Sequence, residues 1–178
     1  MKEDYDDIVF MRGEPGYADN LDRFIGLLSP DDWKDYEFEE YSYSEIIPSV
    51  SFITRNGTPI GILSLGIGPN NNERDHDINV NLVYILASER GQGHMKHVYD
   101  YIDDMTCEYL SENARYRSKL NIKMDCISEG GVKFKDTVLS RLSGKLKDYG
   151  VIPVDKTTVS ITPQDKKPSA SPSVSFAF

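Results

Sequence analysis

A glycine-rich turn between a strand and a long helix limits most strongly what this chain can fold into. The segment over residues 83–95 reads Val-Tyr-Ile-Leu-Ala-Ser-Glu-Arg-Gly-Gln-Gly-His-Met. Alternating apolar residues before the turn predict a strand, and apolar residues at steps of three and four after it predict a helix. Backbone N–H groups at a helix N-terminus have no partner within the helix and lie at the positive end of its dipole, so the turn suits an anion such as a pyrophosphate. A plain tight turn without a ligand is the alternative.

The elements on either side of this segment complete a mixed α/β sheet. Asn56-Gly57 between two apolar runs predicts a hairpin, because both residues readily adopt a positive φ. Ser29 followed by Pro30 predicts the start of a helix, with Ser29 as its N-cap. The whole pattern gives the order β-α-α-β-β-β-α-β-α-β, for which we expect one domain over residues 1–162. Residues 163–178 are rich in proline and serine, lack periodicity and are predicted to form a C-terminal tail.

The net charge of −9 is unevenly distributed along the chain. The first 50 residues carry 14 acidic and 4 basic side chains, whereas the rest of the chain carries 15 acidic and 16 basic ones. A face that binds nucleic acid must be basic, so we expect no direct binding of nucleic acid and allow a cationic partner. No apolar run approaches the roughly 18 residues of a membrane span, and the N-terminus lacks a signal-peptide pattern. The sequence therefore predicts a cytoplasmic protein without membrane contact, with its two cysteines, Cys107 and Cys126, reduced.

The turn Arg90-Gly91-Gln92-Gly93-His94-Met95 resembles the acetyl-CoA-binding motif of the GNAT N-acetyltransferase superfamily, which is Arg or Gln, two residues, Gly, one residue, then Gly or Ala. The element order over residues 7–162 is also similar to that of the family. The resemblance implies a single GNAT-like domain that uses acetyl-CoA. It further implies that the strand contacts the pantetheine arm through Tyr84, Ile85 and Leu86. The residues expected to hold the phosphates are Arg90, Gly91, Gln92, Gly93, His94 and Met95.

The same resemblance suggests catalytic residues, and here the chain departs from the family pattern. Family members commonly carry an acid on the strand before the turn, and Asp77 is the matching candidate for a general base that acts through water. The alternative is that Asp77 only solvates an exposed strand face. Many members place a tyrosine near the end of the last helix to protonate the leaving thiolate, but Leu146 aligns there. Tyr149, one helical turn further on, is the substitute candidate, and Met95 stands where the motif has a small residue.

Two histidines at the start of the long helix, His94 and His97, lie one turn apart. Histidines at this spacing are able to share a metal ion, but the sequence offers no third ligand at a known spacing. The sequence therefore predicts no metal site. His94 is expected to lie beside the phosphates or in solvent.

Acidic and aromatic residues alternate over residues 31–43, and we call this segment the acidic segment. Its carboxylates attract cations, and its aromatic faces add cation–π attraction. By the resemblance it forms one wall of the acceptor site, which suits a lysine side chain, a protein N-terminus or a small amine. The alternative is a solvated acidic face whose aromatic side chains pack inward.

Two classes of function follow from these observations. The first is an acetyl-CoA-dependent N-acetyltransferase that acts on a cationic primary amine. The second is a catalytically degenerate GNAT-like protein that works by binding, for example as a structural component of a bacteriophage particle. A protein partner would then bind the acidic N-terminal face or the tail, where Phe176 and Phe178 alternate with small residues.

Overall fold

Six strands follow one another across one sheet in the same order as in the chain. The computed structural model describes residues 8–12, 17–35, 50–70, 75–114, 119–124 and 129–155. Its strands are β1 (Ile8–Arg12), β2 (Val50–Arg55), β3 (Thr58–Pro69), β4 (His76–Ile85), β5 (Lys119–Met124) and β6 (Ile152–Asp155). Its α-helices are α1 (Tyr17–Gly26), α2 (Pro30–Asp35), α3 (Met95–Asn113) and α4 (Glu129–Lys145), with 3-10 turns over Ala87–Glu89 and Leu146–Tyr149.

Local sequence explains the direction of each pairing. β1 and β3 both pair antiparallel with β2, and the turn between β2 and β3 is Asn56-Gly57, with φ of 50° and 72°. These positive values confirm the predicted hairpin, since the favoured two-residue turn needs φ > 0 at both positions. β4 pairs parallel with β5, and β5 pairs parallel with β6. A helix must connect parallel neighbours, and α3 and α4 supply those connections.

The chain divides into two compact units, the first containing residues 1–64 and 82–98 and the second residues 65–81 and 99–178. In the first unit the rings of Phe24 and Phe52 pack at 6.4 Å between centroids, and both side chains are fully buried. In the second unit the fully buried apolar side chains come from strand and helix alike: Ile78, Ile102, Leu110, Leu120, Ile122, Leu142 and Leu146. Each unit therefore has apolar packing of its own.

The structure confirms the predicted class, a mixed α/β sheet, and the predicted element order. The last helix, α4, ends at Lys145 and continues as a 3-10 turn over Leu146–Tyr149, which Gly150 closes with φ of 65°. The tail at 163–178 and the boundary at 162 lie outside the described residues and stay predictions. Within the described part of the chain, no helix is both long enough and apolar enough to cross a membrane.

Candidate anion-binding site at the glycine turn

The glycine turn is open in the way an anion site requires. β4 ends at Ile85, a 3-10 turn covers Ala87–Glu89, and α3 begins at Met95. Gly91 and Gly93 adopt φ of 76° and 84°, a backbone region that residues with a side chain rarely occupy. Both glycines are exposed, and a Cβ built on either would meet no atom within 4 Å. The space over the turn is therefore free for a ligand to approach the backbone.

Most backbone donors of this turn have no acceptor among the described residues, although the N–H of Arg90 binds the Ala87 carbonyl. The N–H groups of Lys96, His97 and Val98 bind carbonyls of Gly93 and His94. For the five preceding N–H groups, those of residues 91–95, the described residues provide no hydrogen-bond acceptor. Such donors at a helix N-terminus favour a phosphate or carboxylate. These residues therefore fit the pyrophosphate of a coenzyme.

Arg90 is fixed at the start of the turn by two contacts. Its Nε donates to the Ile85 carbonyl at 3.0 Å, and its guanidinium lies 5.2 Å from the centroid of the Tyr84 ring. A guanidinium over an aromatic face is attracted by the electrons of the ring. Arg90 is nevertheless solvent-exposed. It therefore presents a positive charge beside the unpaired N–H groups.

A second arginine, absent from the predicted site, reaches the turn from the β2–β3 hairpin. Arg55 donates to Glu89 and to the side-chain oxygen of Gln92, both at 3.0 Å. Gln92 in turn donates to the Ser88 carbonyl at 3.2 Å. Glu89 also lies 3.2 Å from Nε2 of His94, whose side chain is buried. Of the two predicted positions for His94, the one in solvent is wrong because the ring is buried against Glu89, and the one beside the phosphates stays a prediction.

Asp32 of α2 is bound to the other end of the turn. One carboxylate oxygen, Oδ1, accepts the hydroxyl of Tyr84 at 2.8 Å and the N–H of Ala87 at 2.7 Å. The other, Oδ2, accepts the N–H and hydroxyl of Ser29 at 2.8 and 2.5 Å, while Ser29 Oγ accepts the Asp32 N–H. This reciprocal pair is a capping box, which confirms Ser29 as the N-cap of α2.

The carboxylate of Asp32 is only 1% exposed, yet it is held as an anion. Burial alone would raise the pKa of Asp32, but the hydrogen bonds from Ser29, Ala87 and Tyr84 outweigh it and lower that pKa. As a member of the acidic segment, Asp32 was expected to attract a cation from solvent. Its side chain instead points into the protein, so this part of the expectation is wrong. Residues 36–43 of the segment lie outside the described residues.

The residues predicted to contact pantetheine all have buried side chains. Tyr84 is 2% exposed, Ile85 9% and Leu86 3%, so a ligand would contact them through the backbone. The Leu86 N–H is already bound to the carbonyl of Ile60. The register of β4 with β5 ends at Val80 opposite Met124. Residues 125–128, which follow β5, lie outside the described range.

Asp77, the candidate base, lies in the second unit in a polar cluster. It accepts hydrogen bonds from Lys123 at 2.6 Å, Asn121 at 2.8 Å and Asn70 at 3.4 Å. Burial would raise the pKa of Asp77, but the bonds from Lys123 and Asn121 outweigh it and lower the pKa. Asp77 is therefore a weaker base than a free carboxylate. Two of these partners, Asn121 and Lys123, lie on β5, and Asn121 is directly opposite Asp77 in the strand register.

Tyr149, the candidate acid, is the last residue of the 3-10 turn that follows α4. It also lies in the second unit. Electrostatic repulsion from the sulfur of Cys107 in α3, together with burial, raises the pKa of the Tyr149 phenol. Cys107 is a free, half-buried thiol. Leu146, at the position where the family has its tyrosine, is fully buried. No group of three or more His, Cys, Asp or Glu side chains converges on a metal position among the described residues.

Comparison with known proteins gives likenesses in structure only. No family model and no curated protein matches the chain in sequence. A possible acetyltransferase from Clostridium difficile 630 is 14% identical, covers 75% of this chain and 88% of its own, and has a TM-score of 0.49. A ribosomal-protein-alanine N-acetyltransferase from Brucella melitensis biovar Abortus 2308 is 17% identical, and its TM-score is 0.43. The match covers 74% of this chain and 90% of the acetyltransferase chain.

Naa50 from Arabidopsis thaliana, solved with the bisubstrate analogue CoA-Ac-MVNAL, is also similar in structure. It is 13% identical with a TM-score of 0.41, and the match covers 57% of this chain and 65% of the Naa50 chain. The chain thus spans less than two thirds of Naa50. What its own structure confirms is the mixed α/β sheet with the order β-α-α-β-β-β-α-β-α-β, the arrangement that the resemblance to the GNAT superfamily implies.

Proposed function

We propose that this chain binds acetyl-CoA at the glycine turn and transfers the acetyl group to a cationic primary amine. The observation that carries the proposal is the run of backbone N–H groups over residues 91–95 without described acceptors. Gly91 and Gly93 leave the space above these donors open. Arg90 adds positive charge at the same place, which complements the doubly charged pyrophosphate.

Acetyl transfer to a cationic amine needs three proton movements besides the bond change. The ammonium group first loses one proton, the neutral nitrogen attacks the thioester carbonyl carbon, the C–S bond breaks, and the sulfur leaves as a thiolate. The nitrogen loses a second proton as the amide forms and the sulfur gains one, so one proton is released to solvent overall. In this proposal Asp77 accepts a proton from the amine through water and Tyr149 protonates the thiolate. The raised pKa of Tyr149 makes its phenol a weaker acid, and the lowered pKa of Asp77 makes its carboxylate a weaker base, than the free side chains.

The test is an acetylation assay on a panel of amines: a lysine peptide, a peptide with a free N-terminus and a polyamine, each with acetyl-CoA. Release of free thiol reports turnover. We expect D77N to lower kcat by about a hundredfold or more and Y149F by a similar factor, which are ordinary values for loss of one acid–base group. D136N, which neutralises an exposed carboxylate of α4, is the control and should keep the wild-type rate.

A second function is favoured by the buried Leu146, which leaves the usual acid position without a hydroxyl. In that case the chain is a GNAT-like binding protein that holds the coenzyme or a partner without turnover. The two functions give different results in the same assay. An enzyme releases thiol with at least one amine. A binding protein shows coenzyme binding by calorimetry and no thiol release with any member of the panel.

A further inference from the structure

We propose that Asp32 and Tyr84 are positioning residues for the glycine turn, with Asp32 fixing the N–H of Ala87 at the start of the preceding 3-10 turn and Tyr84 fixing Arg90. The inference rests on the proposed function for its ligand, a coenzyme pyrophosphate. The contacts from which it is argued are present without any ligand. Neither side chain needs to touch the coenzyme, because each acts on the segment that leads into the turn.

The two oxygens of Asp32 have separate tasks. Both bonds at Oδ2 come from Ser29 and serve the capping of α2. Both bonds at Oδ1 come from residues beside the turn, Tyr84 and Ala87, which are 52 and 55 positions away in the chain. Capping α2 requires only the first pair. The second pair therefore indicates a task at the turn.

Burying the charged carboxylate of Asp32 costs free energy, so we expect the arrangement to serve a purpose. The described donors to its carboxylate are all neutral, although burying an ion normally calls for an opposite charge. A buried anion close to a phosphate site would also repel the phosphate. The bond to Ala87 offsets this disadvantage by holding the first N–H of the 3-10 turn that leads to Arg90 and Gly91.

Tyr84 extends the same chain of contacts to Arg90. Its hydroxyl binds Asp32 while its ring lies under the Arg90 guanidinium. Arg90 also returns to the backbone of β4 through the Ile85 carbonyl. Fixing the hydroxyl fixes the position of the ring's long axis, and the position of the ring limits where the guanidinium lies. Removing the hydroxyl alone should therefore loosen Arg90 without removing its charge.

The experiment compares calorimetric titrations of CoA into the whole chain and four variants. Removal of a negative charge would by itself strengthen binding of an anion, whereas loss of positioning weakens it, so the two effects have opposite signs. We expect D32N and Y84F each to raise Kd by about fivefold to tenfold, the value of one lost hydrogen bond. D22N removes an exposed carboxylate of α1 and should leave Kd unchanged or slightly lower.

S29A separates positioning from stability. It removes the Ser29 hydroxyl from Oδ2 of Asp32 and leaves both bonds at Oδ1, so it should lower the melting temperature and leave Kd within about twofold. Tighter or equal binding by D32N and Y84F would overturn the proposal. So would an S29A variant that weakens binding as much as Y84F does.

Hydrogen exchange without coenzyme keeps the inference separate from the proposed function. Amides over residues 87–95 should exchange faster in D32N and Y84F than in the wild type, and at the wild-type rate in S29A. Wild-type protein that binds no CoA would refute the proposed function, whereas unchanged exchange in both D32N and Y84F would refute the positioning role. If D32N does not fold, Y84F alone decides the outcome, because it removes a single oxygen atom.

Discussion

Arg55 at the end of β2 donates to the carboxylate of Glu89 in the turn at 3.0 Å, which joins the Asn-Gly hairpin to the candidate anion site. Glu89 also faces Nε2 of His94 at 3.2 Å. Glu89 therefore contacts one arginine and one histidine beside the N–H groups of residues 91–95. In the ligand-free protein Glu89 neutralises the charge of Arg55, which would otherwise attract an anion.

The first prediction is that E89Q strengthens CoA binding and R55Q weakens it. One unit charge at this range in partly exposed surroundings is worth about 1 kcal/mol, so each change should alter Kd by about fivefold. Calorimetric titration at low salt measures both, and K119Q, an exposed lysine of β5, controls for the loss of a positive charge elsewhere. Weaker binding by E89Q would mean that Glu89 acts mainly as a structural link.

The second prediction concerns Gly61 of β3, where the backbone packs closely against β4. A Cβ at this position would lie 2.5 Å from the Tyr84 carbonyl oxygen and 2.7 Å from Ile85 Cδ1. We expect G61A to lower the free energy of unfolding by about 1–3 kcal/mol, as overpacking commonly does. G68A in the same strand adds its methyl group to open space and should change stability by less than about 0.5 kcal/mol. Equal stability of both variants in urea would contradict the packing.

The third prediction is that Asp103 contributes far more to stability than its neighbour Asp100. Asp103 is 1% exposed and accepts ion pairs from Arg141 and Lys145 at 2.8 and 3.1 Å. Asp100 binds the same Arg141 but is 44% exposed. D103N weakens the hydrogen bonds that two cations donate to a buried carboxylate, so it should cost about 1.5–3 kcal/mol, and D100N less than about 1 kcal/mol. Chemical denaturation measures both, and similar losses would contradict the difference in burial.

The fourth prediction is a loss of stability in mild acid that depends on His76. Its side chain is buried, Nδ1 lies 3.3 Å from the Tyr109 hydroxyl, and Nε2 is buried without a described partner. Burial lowers the pKa of His76 below the ordinary 6.5, although the charge of Asp75 opposes the shift. The unfolded chain therefore binds a proton first as pH falls, so this contribution is complete above 6.5 and is lost below it.

Denaturation of the wild type and H76Q between pH 7.5 and 5, a range of about one unit or more on either side of an ordinary histidine pKa, measures this effect. The free energy of unfolding should fall less steeply with decreasing pH in H76Q. H97Q, which removes a histidine of α3 instead of one of β4, is the control. Parallel slopes for H76Q and the wild type would show that another group causes the acid sensitivity.

Features encoded in neighbouring residues were predictable from the sequence. The Asn56-Gly57 turn, the Ser29 cap and the strand, turn and helix around Gly91 all follow from adjacent residue types, and the structure contains each of them. The element order follows from hydrophobic periodicity in the same way.

Contacts between distant residues were not predictable, because neither periodicity nor local propensity specifies them. Arg55 and Glu89 are separated by 34 positions, and Asp32 and Tyr84 by 52. An acidic residue in the first turn of a helix, such as Asp32, has the same local sequence pattern whether its side chain faces solvent or binds a tyrosine. Asp103 is a further example, since its charge lies among the buried residues of α3.

The central claim is that the glycine turn binds the pyrophosphate of CoA. Calorimetric titration of CoA and acetyl-CoA into the wild type and G93W tests it most directly, because an indole at Gly93 would fill the open space and strain a backbone with φ of 84°. G26W, which places the same side chain in open space at the end of α1, is the control. We predict binding with Kd on the order of micromolar for the wild type and G26W, and none for G93W. Absence of binding to the wild type, or equal binding to G93W, would contradict the claim.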